Sequence, residues 1–244
     1  MSRALRIKSL AGAVALSFVA FGASATTVDL TYKGPSAGSD KKIIKITDAP
    51  NSAGASLPIA AGAYGFRMRT DSSDPMTEFL AWCLDIGSQL GKNGSFEYKI
   101  TDTPFDNSYG LDTDDRMRVQ NLFDANYGML DVSDGIQTAG FQVALWNALY
   151  DDDGDAGDGD FRISSGFGAG QNVINQANIF LGLANSYGGA GKVFNLTFFE
   201  STGTGSSKKQ NLVSATPVPL PAAGLLFLGA LGGLVTLRRR KHVA

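Results

Sequence analysis

Histidine is nearly missing from this chain. The only one among its 244 residues is His242, close to the C-terminus. The rest of the sequence has no imidazole to serve as general base or metal ligand. That excludes Ser-His-Asp and Cys-His catalysis and His-ligated zinc or copper. Cysteine is as scarce, since Cys83 stands alone. An intrachain disulfide and a cysteine metal cage are both excluded. Positive charge is short once the ends are set aside. Residues 26–217 carry 14 Lys and Arg against 23 Asp and Glu, a net charge of −9. This argues against a nucleic-acid or anionic-membrane surface. No internal repeat is visible.

The two ends are what the sequence states most directly. Arg3, Arg6 and Lys8 precede an apolar run from Leu10 to Gly22, and Ala23-Ser24-Ala25 follows. A positive start, a short apolar centre and small residues at the end make residues 1–25 a secretion signal, with cleavage expected after Ala25. At the other end, Val218-Pro219-Leu220-Pro221 leads into an apolar stretch, Ala222–Leu237, closed by Arg238, Arg239, Arg240 and Lys241. As a helix this stretch would reach roughly 24 Å, marginal for a bilayer. The basic block should remain on the cytoplasmic side. Residues 218–244 are therefore expected to form an anchor helix that tethers an exported body.

The order of Pro219 and Pro221, a short apolar helix and the Arg238–Arg240 cluster resembles the PEP-CTERM sorting signal. The resemblance is confined to residues 217–241, with Leu220 where that family most often has Glu. It implies recognition and cleavage by an exosortase, an inner-membrane tether before processing, and a final place at the surface or in the extracellular polysaccharide of a Gram-negative bacterium. An ordinary tail anchor would give the same location without cleavage.

Within the body, several segments alternate as half-buried strands do. Val28, Leu30 and Tyr32 form one such set; Tyr64, Phe66 and Met68 another; Phe194, Leu196 and Phe198 a third. Ile43–Ile46 and Phe79–Ile86 are short apolar runs that also suit strands. The middle has helical periodicity over Asp114–Tyr127, Ile136–Tyr150 and Gln171–Asn185. Strands, then helices, then strands predict an α+β domain over residues 26–200: an antiparallel β framework, sandwich- or barrel-like, with an inserted helical section. Residues 201–217 are polar and rich in Gly and Ser, and are expected to be a flexible stalk.

Two short windows carry candidate chemistry. Cys83 lies in Phe79-Leu80-Ala81-Trp82-Cys83-Leu84-Asp85, where alternation puts Ala81, Cys83 and Asp85 on one face and Leu80, Trp82 and Leu84 on the other. Gln142 lies in Phe141-Gln142-Val143-Ala144-Leu145-Trp146, at the edge of an apolar helical arc, where partial burial is expected. Together these windows resemble the motifs of bacterial surface thioester domains. Gln142, Ala144, Leu145 and Trp146 match that pattern, Phe141 replaces a Thr, and Leu84 stands where Tyr is frequent. The resemblance implies an internal thioester between Cys83 and Gln142, opened by a surface amine or sugar hydroxyl. Such a bond needs apolar walls against water, for which Trp82, Phe141 and Trp146 are candidates. The alternative is that Cys83 is a buried core thiol and Gln142 an ordinary helix residue.

Asp151, Asp153, Asp155, Asp158 and Asp160 crowd the segment after the second helix. Such a loop offers oxygen ligands to calcium. It is not an EF-hand, because position 6 is Ala156 and position 12 is Arg162. A solvated acidic loop is the alternative. Nothing in the spacing of the acids assigns acid and base roles, so an enzyme is not expected. The sequence predicts an exported binding or structural protein with a covalent Cys83–Gln142 device. The runner-up is a calcium-stabilised matrix protein without one.

Overall fold

In a computed structural model, the described residues are 26–219 apart from 37–40, 51–57, 71–72, 74, 102–111 and 189–190. Residues 1–25, Pro221 and Arg238–Arg240 lie outside them. Six strands close an antiparallel barrel. These are β1 (Thr27–Pro35), β4 (Tyr64–Arg69), β5 (Thr77–Cys83), β6 (Ser95–Thr101), β8 (Phe194–Ser201) and β9 (Leu212–Pro217), in the order β1-β4-β5-β9-β8-β6. A short sheet of β3 (Pro58–Ala61), β2 (Lys42–Asp48) and β7 (Arg162–Ile163), in that order, stands apart from the barrel. Closure leaves the barrel no open edge for another chain to pair with. Alternation places Val28 and Leu30 of β1 in the core, with Leu30 opposite Met68 on one side and Phe96 on the other.

The fold is α+β with an antiparallel framework, as expected, and the framework is a closed barrel. The three helices, α1 (Thr113–Asn126), α2 (Gly135–Tyr150) and α3 (Gly170–Asn185), fall within a residue of the periodic segments. Asp112 starts α1 by accepting from the N–H groups of Asp114 and Asp115. Asp134 starts α2 in the same way through Ile136 and Gln137. Each side chain satisfies donors that the first helical turn leaves open.

Two expectations need correction. Residues 201–217 are not a stalk: Leu212, Val213 and Ser214 of β9 are buried between β5 and β8, and β9 completes the barrel. The Gly and Ser of this stretch build the turn before β9. Nor does α2 have a polar margin, since every residue from Thr138 to Ala148 is buried. It runs between α3 and the β2–β3 side, and at Gly140 it comes so near α3 that a Cβ would lie 2.7 Å from Gln176 Cγ. Among the described residues no helix is long and apolar enough to cross a membrane.

Candidate functional site

Cys83 is the last residue of β5 and is paired with Leu212 of β9. On the other side of β5, the register with β4 ends at Ala81 opposite Tyr64. Cys83 thus extends past the end of β4, and its N–H and C=O on that side have no strand to meet. Gln142 takes the place of the missing residue. The Cys83 N–H donates to Gln142 Oε1 at 2.9 Å, and Gln142 Nε2 donates to the Cys83 carbonyl at 2.8 Å. A side-chain amide here does what the next residue of a strand would do. Gln142 is fully buried and Cys83 is 3% exposed. The two windows, 59 residues apart in the chain, are therefore in direct contact.

Alternation separates the neighbours of Cys83. Trp82 faces the helices, its ring 4.6 Å from that of Phe141, in a cluster with Phe123 and Tyr127. The Cys83 thiol acts electrostatically on Tyr32, Tyr64 and Tyr98 of the barrel. Burial first, and Cys83 second, holds all three phenols above their usual range. The thiol is itself pushed well up by burial and by the Asp85 carboxylate, against a smaller opposing pull from Lys92. Cys83 also lines an open cleft of about 610 Å³, together with Ile59, Tyr64, Trp146 and Lys92. Of the three expected shielding residues, Trp146 shares this cleft, while Trp82 and Phe141 pack behind the strand.

Sequence reading missed the other half of the site, residues 208–211. Gln210 Nε2 donates to the Asp85 carbonyl, and the Asn211 N–H donates to Asp85 Oδ1 at 3.2 Å. The Tyr98 hydroxyl donates to the Gln210 carbonyl. These bonds fix the segment after Cys83 against the segment before β9. Their only signal in the sequence is a Lys-Lys-Gln-Asn run in polar surroundings.

Burial raises the Asp85 carboxyl from 3.8 to about 6, against lowering contacts from Ser88, Lys208 and Asn211. The fold therefore holds the Asp85 proton more tightly than the unfolded chain does. At about 1.4 kcal/mol per pH unit, its contribution to stability is complete below about pH 4. It falls by about 3 kcal/mol as pH rises through about 6. Asp85→Asn should remove this fall, so urea unfolding of wild type and variant should converge near pH 4 and diverge above pH 6, with the variant more stable.

The acidic loop is held together by its own backbone. Asp151 Oδ1 accepts from the N–H groups of Asp152 and Asp153, and Asp151 Oδ2 from that of Phe161. Asp153 accepts from Asp155 N–H and Asn147 Nδ2; Asp155 from Gly157 N–H and Asn178 Nδ2. Asp158 accepts from the Gly159 N–H and faces Arg162, which also pairs with Asp48. Gly159 sits at φ +79°, so close to the Asp151 and Asp153 carboxylates that a Cβ would displace them. These local bonds fix the shape of the loop. Among the described residues no group of three or more His, Cys, Asp or Glu is gathered as metal ligands would be.

Comparison of the chain with known protein families, with curated proteins and with solved structures finds no match.

Proposed function

We propose that this is an exported surface or exopolysaccharide-associated protein that attaches covalently through a thioester between Cys83 and Gln142. The observation that carries this reading is the docking of the Gln142 amide on the backbone of Cys83, inside the protein and beside a cleft that reaches the cysteine. Formation requires the Cys83 sulfur to attack the Gln142 amide carbon. The C–S bond forms, the C–N bond breaks, and nitrogen leaves as ammonia with the thiol proton. The Cys83 N–H already donates to Gln142 Oε1, where negative charge develops during the attack. A fixed donor at that position stabilises the transition state, as in other acyl transfers. The Nε2 bond to the Cys83 carbonyl is the one given up with ammonia.

The raised pKa of Cys83 suits the product as well as it hinders the start. A buried thiolate is disfavoured, so closing the thioester removes a group the site cannot easily ionise. No histidine is needed when the incoming group brings its own proton. The signal-like N-terminus and the PEP-CTERM-like tail support export, with an exosortase as processing partner and the cell surface or matrix as destination. Calcium in the acidic loop remains the second reading and would add stability without covalent chemistry.

Methylamine tests the reaction. Treating the purified protein should add one N-methyl amide at Gln142 and release one titratable thiol at Cys83. Unfolded protein that shows a free thiol before the amine is added, with Gln142 still an amide, would contradict the thioester.

A further inference from the structure

The cleft in front of Cys83 differs in charge from the rest of the body. Its wall at Gly87, Ser88 and Gln89 also borders a second depression of about 380 Å³, edged by Lys208 and Lys209. Lys92 lines the first cleft, and among the described residues no acidic one lines either. Among the described residues none of the three lysines lies within ion-pair distance of a carboxylate. Lys208 acts on Asp85 only from a distance. Lys209 is braced with its ammonium 5.1 Å from the centre of the Phe96 ring. A body of net charge −9 thus presents a cationic mouth at the cleft that Cys83 lines.

We infer that the group this mouth admits is a hydroxyl of a carboxylate-bearing polysaccharide, and not the amine of a protein lysine. This rests on the thioester reading above. A protonated lysine side chain approaching Lys92, Lys208 and Lys209 meets like charge. An acidic sugar chain meets opposite charge along the whole path and is concentrated there. In the transfer, the sugar oxygen attacks the thioester carbonyl and an ester forms at the former Gln142 side chain. The C–S bond breaks, and the hydroxyl proton ends on the Cys83 thiol.

Oligogalacturonate is the probe, with neutral dextran oligosaccharide and Nα-acetyl-lysine as competitors of equal concentration. At low salt the oligogalacturonate adduct should form at least roughly tenfold faster than either, and the advantage should shrink in high salt. Substituting Lys92, Lys208 and Lys209 together by Glu should abolish that advantage. The Cys83→Ala protein provides a readout that needs no thioester. It should bind oligogalacturonate without covalent capture, in a salt-sensitive way, and lose that binding with the three lysines. Faster reaction of dextran or the amine would overturn the inference, as would equal binding of dextran and oligogalacturonate by Cys83→Ala. A wild-type chain with no ammonia deficit and Gln142 unchanged would defeat the thioester, while Cys83→Ala binding would still decide the charge selectivity.

Discussion

Gln142→Ala in a Cys83→Ala background should destabilise the fold by about 3 to 5 kcal/mol. In that background no thioester can form, so the substitution reads the amide's structural role alone. Removing the amide leaves the N–H and C=O of residue 83 facing an apolar gap where β4 has already ended. An unsatisfied buried polar group costs about 1–3 kcal/mol, and there are two. The side chain also leaves a void, which adds to the loss. Gln142→Glu refines the result. A neutral carboxyl can still accept from the Cys83 N–H and donate to its carbonyl, whereas an ionised one cannot donate and is buried without a counter-charge. Its cost should therefore be small in acid and grow as pH rises. A Gln142→Ala loss below about 1 kcal/mol in urea unfolding would mean that the two hydrogen bonds do not hold this end of the barrel.

Phe141→Ala should cost about as much, for a different reason. Phe141 is fully buried and its ring meets those of Trp82 at 4.6 Å, Phe123 at 5.1 Å and Phe180 at 5.7 Å. Phe→Ala in a well-packed core costs about 3–5 kcal/mol, and edge-to-face contacts contribute beyond area alone. This cluster joins α1, α2 and α3 to the outer face of β5. Because it lies behind the strand, its loss should lower the unfolding midpoint without speeding hydrolysis of the thioester in the folded protein. Trp146, on the cleft side, is the position where truncation should let water in. Equal hydrolysis rates in both variants would contradict the separation of the two faces.

These two residues also show where sequence was informative. The helices were legible because apolar residues recur at helical spacing over each of them, and that periodicity is local; the caps that start α1 and α2, Asp112 and Asp134, are seen only in the structure. The alternation around Cys83 was legible for the same reason and did separate Trp82 from Cys83. Gln142 was placed at a helix margin because a wheel assumes one solvent face, and α2 has none. That Gln142 completes a strand depends on where β4 stops, which is a property of register and not of any single window. β9 and the residues before it escaped notice because Leu212 and Val213 follow a run of Gly, Ser and Lys. That composition reads as linker until a barrel needs its sixth strand. The acidic loop is the converse case: its composition suggested an ion, and its backbone uses most of the carboxylates itself.

The intact mass of the purified chain, prepared without reductant or amine buffer, tests the Cys83–Gln142 bond most directly. The thioester predicts a deficit of one ammonia against the sequence, mapped to the Cys83 and Gln142 peptides and absent in both Cys83→Ala and Gln142→Ala. A chain that had formed and then lost the bond would instead carry Glu at position 142. Full mass with Gln142 unchanged, and Cys83 alkylated only after unfolding, would contradict the thioester and leave the pair as a structural clamp at the end of β4.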